Sequence, residues 1–180
     1  MRGEGVVTET GVEGGVFYAL GSTIRDLIEM EGEIVVHLDL QPDLSAEHVA
    51  ERLARRRPKD SATTALRKAG IAPVGIGLLR EATANELPSD PVDLAALVKA
   101  TPLRLVGAEA VERSISTAGG VCLDEVDERF MLRRLPGVFV IGEMLDWEAP
   151  TGGYLLQATF STAVAAAAGV LDHLGHRNGG

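Results

Sequence analysis

The order of apolar and polar positions divides this chain into three stretches. They are an opening strand and helix, a helical middle, and a closing region of short strands with one long helix. Near the start, residues 4–9 read as a short strand that ends in the turn Thr10-Gly11-Val12-Glu13-Gly14-Gly15. Val16, Leu20, Ile24, Leu27 and Ile28 then recur at helical spacing and predict one amphipathic helix. Gly32 is its natural stop. Over residues 34–40, Val36, Leu38 and Leu40 alternate with Val35, His37 and Asp39, which is the period of a strand.

The middle is helical. Ser45 caps a predicted helix to about Arg56, with Val49 and Leu53 one turn apart, and Pro58 breaks it. A second helix follows Ser61 and stops at Gly70. Asp90 as cap and Pro91 at the first helical position open a third, whose buried face is Leu94, Leu97 and Val98. Residues 45–100 are therefore expected to form a small helical lobe. After Pro102 the pattern changes to short strands at 103–106 and 114–117, the latter running into Ala118-Gly119-Gly120. Val138, Phe139, Val140 and Ile141 form a continuous apolar run that reads as a fully buried parallel strand ending in Gly142. A polar turn leads to an alanine-rich helix over about 153–174, and residues 176–180 are expected to fray.

Composition narrows the function classes. Seventeen Lys and Arg against 26 Asp and Glu give a formal charge of −9, which disfavours a general nucleic-acid binder because phosphate contact needs a basic face. Cys122 is the only cysteine, so no internal disulfide forms, and a reducing cytoplasm is the expected compartment. The first residues, Met1-Arg2-Gly3-Glu4, lack the apolar core of a signal peptide. The uncharged end, interrupted by Pro150 and glycines and apolar mainly through alanine, is expected to be a loop and a buried soluble helix, not a membrane span.

The chemistry concentrates between residues 137 and 158. A buried strand would deliver Gly142 and Glu143 to the carboxyl edge of a sheet, where α/β folds keep their ligands. Gly142 would allow close approach to the backbone. Thr151-Gly152-Gly153 starts a helix whose free N–H groups around Gly153, Tyr154 and Leu155 suit a phosphate or the electron-rich edge of a flavin. Spacing alone fits equally a strand–turn–helix whose glycines serve only the turn.

These motifs resemble the C-terminal FAD segment of the HI0933-like (BaiN-type) flavoproteins: Gly-Glu, an Asp shortly after, then Gly-Gly-Tyr-Asn-x-Gln-Ala and a small-residue helix. Gly142, Glu143, Asp146, Thr151, Gly152, Gly153, Tyr154, Gln157 and Ala158 match, while Leu155 stands where Asn is frequent. Ser116-Thr117-Ala118-Gly119-Gly120-Val121 and the glycine turn at 8–15 resemble further family segments. The resemblance implies an FAD domain interrupted by an inserted substrate-side domain, with NAD(P)H as reductant. On that basis residues 1–111 are expected to be the remainder of the inserted domain and 112–180 the C-terminal segment of the FAD domain. Gly142, Glu143, Gly152, Gly153, Tyr154 and Leu155 would contact the cofactor.

Such proteins begin with a strand, Gly-x-Gly-x-x-Gly and a helix for the FAD pyrophosphate, and no such unit is present in the sequence. The chain is therefore expected to hold FAD poorly alone, and to need an N-terminal half or to self-associate. The alternative is a non-catalytic interaction module. His173 and His176, His37 and His48 lack the companions of a metal site. Arg52, Arg55, Arg56, Arg57 and Lys59 read first as a solvated helix face, against an anion or RNA contact. Cys122 reads as a small packed residue; Trp147 and Tyr154 flank the flavin-side turn, where Tyr154 would stack or hydrogen-bond, while Trp147 fits equally as cover for a core edge.

Overall fold

The computed structural model of the chain describes residues 1–177. It is a mixed α/β structure with short strands, and it divides into two compact units. The first comprises residues 1–16 and 23–107; the second comprises residues 17–22 and those from 108 onward.

In the first unit, β1 (Val6–Val7) pairs antiparallel with β2 (Val12–Glu13). The Thr8 N–H donates to the Gly11 carbonyl at 2.8 Å and closes the hairpin. The predicted strand is thus shorter than its sequence pattern, and the glycine turn holds a second strand. Gly14 has a φ of +108°, and a Cβ there would lie 2.9 Å from the Glu4 carbonyl oxygen, so no other residue fits without strain.

The single helix predicted from Val16 is two, α1 (Gly15–Ala19) and α2 (Gly21–Glu31), broken at Leu20. Val16, Phe17 and Tyr18 are weak helix formers and Gly21 is weaker still, so apolar spacing does not carry the helix across the junction. Gly32 ends α2 as expected, with a φ of +83° and its N–H on the Ile28 carbonyl.

β3 (Ile34–Leu38) pairs antiparallel with β4 (Thr101–Leu105), Ile34 opposite Leu105. Between them lie α3 (Ala46–Ala54), α4 (Ala62–Ala69), α5 (Pro73–Ala82) and α6 (Pro91–Lys99). Three of these helices begin where their caps predict. Ser45 accepts the His48 N–H, Ser61 accepts the Thr64 N–H, and Asp90 accepts those of Val92 and Asp93. Gly70 ends α4 in the left-handed region. Helix α5 has no side-chain cap, and Gly75 and Gly77 dilute its helical pattern, which is why the sequence does not announce it.

Apolar side chains of the four helices meet in one core: Val49 and Leu53, Leu66 and Ala69, Ile76 and Leu79, Leu94 and Val98. Leu66, Leu79 and Val98 are wholly buried. The Lys99 ammonium donates to the carbonyls of Gln41 and Leu44 and pairs with Asp39 at 2.6 Å, tying the loop after β3 to the end of α6.

The second unit is mostly loop and short 3-10 turns, at Val111–Arg113, Leu123–Glu125 and Gly142–Met144, followed by α7 (Tyr154–Arg177). Two predicted strands do not form. Residues 114–117 are bends and coil. Residues 138–141 make a single antiparallel bridge, Phe139 to Met131, with the Leu132 N–H on the Val138 carbonyl and the Val140 N–H on the Phe130 carbonyl. An apolar run becomes a parallel strand only with strand neighbours beside it, and here the neighbour is an irregular turn. Val140 is buried while Val138 is exposed, so the run is not fully buried either.

Helix α7 extends to Arg177, past the expected end near Leu174, so residues 176 and 177 of the stretch 176–180 expected to fray are helical, and the rest of that stretch lies outside the described residues. One of its faces packs through Thr159, Thr162, Ala166 and Gly169. The opposite face leaves Leu156 (63% exposed), Phe160 (64%), Val164 (73%) and Leu171 (72%) in solvent. The expectation of a buried helix therefore holds for one face only. Its stretch Tyr154–Gly175 is long and apolar enough, by length and composition alone, to cross a membrane.

Candidate functional site

Two of the sequence segments singled out above, 116–121 and 142–146, meet in the second unit. The Val121 N–H donates to the Met144 carbonyl and the Asp146 N–H to the Val121 carbonyl, both at 2.8 Å, which makes a parallel bridge between Val121 and Leu145. Gly120 makes this approach possible: its φ is +154°, and a Cβ would fall 2.7 Å from the Met144 carbonyl oxygen. The Glu143 carboxylate accepts the Thr117 N–H at 2.6 Å and lies 3.2 Å from the Thr117 hydroxyl. Charge-assisted bonds of this kind are among the stronger ones. Glu143 thus holds the glycine turn at 117–120 against the turn that begins at Gly142.

Gly142 is buried, with a φ of +57°. Its N–H donates to the Thr162 hydroxyl at 3.0 Å, and a Cβ would stand 2.8 Å from the Thr159 hydroxyl. The glycine therefore lets α7 pack on the turn. Tyr154 is five residues before Thr159, about 7.5 Å along a helix.

The start of α7 is open. Gly152 and Gly153 have φ values of +107° and +87°, and nothing lies within 4 Å of where a Gly153 Cβ would be. The Gly153 carbonyl takes the Gln157 N–H, whereas the Tyr154 and Leu155 N–H groups have no acceptor among the described residues. Unpaired amides at the positive end of a 24-residue helix are the chemistry an anionic or electron-rich ring edge requires. The residues present therefore fit the flavin edge that the sequence motif implies. Tyr154 is exposed, with its ring edge 3.7 Å from where a Gly152 Cβ would stand, and Trp147 is 37% exposed.

Cys122 is exposed, not packed, with its Sγ 3.8 Å from Asp146 Oδ2. His173 sits edge-on to Phe139, ring centroids 6.4 Å apart, and the side chain of His176 lies outside the described residues. Among the described residues no three His, Cys, Asp or Glu side chains converge on a point that would hold a metal. His48 Nδ1 lies 3.0 Å from the Ser45 hydroxyl, and His37 is exposed on β3.

Sequence reasoning missed Thr159 and Thr162, and it named Thr117 only as part of a motif, without its role. Each is an ordinary threonine in the sequence, and its role follows from which glycine or carboxylate the fold sets opposite it.

The sequence model of the HI0933-like protein Rossmann domain matches residues 4–169. The chain belongs to the HI0933-like family of flavoprotein oxidoreductases.

Proposed function

We propose that this chain closes the flavin site of an FAD-dependent oxidoreductase that takes electrons from NAD(P)H, and that it works with a partner half carrying the pyrophosphate-binding glycine loop. The observation that carries the proposal is the start of α7. There, two left-handed glycines clear the approach to unpaired Tyr154 and Leu155 amides, and Glu143 fixes the neighbouring turns. Bound flavin supplies the hydride chemistry.

The chain's own residues bind and orient. The Tyr154 and Leu155 N–H groups face the electron-rich ring edge, and Gly152 and Gly153 admit it. Gly142 lets α7 pack on the 142–144 turn, and Glu143 positions the neighbouring turn through Oε1, which takes the Thr117 N–H. A partner half fits the exposed stripe Leu156, Phe160, Val164 and Leu171, which recurs on one face of α7. Self-association through that stripe is the alternative occupant, and it would leave the chain an interaction module.

Gel filtration of the chain mixed with FAD tests the cofactor half of the proposal: flavin absorbance is expected to separate from the protein. Stoichiometric co-elution would place a pyrophosphate site within this chain and overturn the requirement for a partner half. Light scattering tests the stripe. Oligomers that Phe160→Ser disperses are expected; a monodisperse, thermally stable monomer removes the need for any partner on this face.

A further inference from the structure

The helical lobe carries a feature the flavin reading does not use. A cleft of about 350 Å³ opens between the end of α3 and the start of α6, at the small end of the size range of ligand sites. Its floor is apolar: Leu53, Ala65 and Leu94, all part of the lobe's buried core. Its rim carries Arg56, Arg57 and Ser89. The lobe lies within a single compact unit, so the cleft belongs to one body.

The charges at this rim are out of keeping with the rest of the chain. Seven of its 17 Lys and Arg fall within residues 52–68, beside a single acid, Asp60, in a protein of net charge −9. That acid is already committed. Lys68 donates to Asp60 Oδ2 at 2.7 Å, the Arg57 N–H donates to the same oxygen, and the Lys68 contact holds the Asp60 carboxyl below the ordinary carboxylate range. Arg56 spends only its Nε, on the Asp60 carbonyl. Neither guanidinium forms a close ion pair among the described residues, although the Arg57 charge also acts on the Asp60 carboxyl, and the Ser89 hydroxyl neither donates nor accepts there. The α6 amides are not part of the recognition, because Asp90 takes those of Val92 and Asp93 and Pro91 has none.

We infer that this cleft binds a small organic phosphate monoester whose apolar or planar body lies on Leu53, Ala65 and Leu94. Two guanidiniums that form no close ion pair, with donors to spare, and a hydroxyl match a dianion with three acceptor oxygens, and guanidinium forks engage such oxygens in pairs. The apolar floor selects against bare phosphate, since it stabilises only a ligand with a body to bury. This inference does not rest on the flavin reading, and it can fail or succeed without it.

The test is calorimetry on the full chain with phenyl phosphate, inorganic phosphate and benzoate, followed by methyl NMR of Ala65 and Leu94. Phenyl phosphate is expected to bind saturably at one site, more tightly than either comparison compound, and to shift both methyls. R56A/R57A should weaken it by roughly tenfold or more, from the usual strength of charged hydrogen bonds. R56K/R57K, which keeps the charge but not the fork, should fall between and guards against a folding defect. Benzoate binding as well as phenyl phosphate would overturn the phosphate assignment. Equal, non-saturable shifts for all three compounds and for a short RNA, with the methyls unmoved, would show a general polyanion surface and overturn the cleft altogether.

Discussion

The two units bury themselves by different means, and the contrast explains which parts of the chain carry function. The helical lobe is closed: four helices, three of them capped by a side chain, meet around Leu66, Leu79 and Val98. The second unit is held by pinned turns. Its small core, Val126, Val140 and Leu145, is supported by backbone bonds across glycines, while one face of α7 stays in solvent. A closed core makes a rigid support. An open one leaves free amides and an apolar stripe for other molecules, as sites on loops and element ends generally do.

The largest test of this contrast sets the two kinds of apolar residue against each other. Leu66→Ala is expected to cost about 3 kcal/mol, through lost burial and a cavity that four packed helices cannot collapse. Val164→Ser, on the exposed stripe, is expected to change the stability of the isolated chain by about 0.5 kcal/mol or less. Urea unfolding of both variants reads the difference; equal losses would mean the α7 stripe is buried in solution.

A second comparison lies inside the open unit. Gly120→Ala forces a Cβ onto the backbone at Met144, where no side chain can move aside. It should cost about 2 kcal/mol or more and loosen the 121–145 bridge. Gly119→Ala has open space around it and only the penalty of its φ of +84°, of order 1 kcal/mol. Thermal melts with amide exchange at Val121 and Asp146 check the order of the two; similar values would mean that the bridge between the segments is not tight.

Capping gives a smaller effect in the closed unit. Asp90→Ala leaves the Val92 and Asp93 amides without their acceptor and should cost about 1 kcal/mol, with helicity lost first at the start of α6. Circular dichroism with denaturant titration measures it. No loss would show that packing alone sets the start of that helix.

The smallest expected effect is electrostatic. The Asp60 carboxyl is held below its ordinary value chiefly by the Lys68 contact. A depressed carboxyl adds stability that is complete above the unfolded aspartate value of about 3.9 and is lost as pH falls through the lower folded value. Lys68→Met should flatten that acid limb and leave the stability profile above about pH 5 parallel to the wild type. An unchanged acid limb would mean the pair is not formed in solution.

What could be read from the sequence followed from local rules. Ser45, Ser61 and Asp90 as caps, Gly32 and Gly70 as stops, and the period of Val49, Leu53, Leu94 and Val98 fixed four elements, because each needs only its neighbours along the chain. The left-handed positions Gly142, Gly152 and Gly153 fall where the sequence sets glycines for the same reason: a left-handed residue before a helical turn is a local requirement. The strands predicted at 114–117 and 138–141 were not decided locally, since a strand exists only when a second one pairs with it. Helix α5 was hidden because its start has no capping side chain. Only the tertiary structure showed that Glu143 binds Thr117, that Gly142 is shaped for Thr159, and that Arg56 and Arg57 border an apolar cleft. Each of these pairs residues far apart in the chain, and no periodicity encodes the partner.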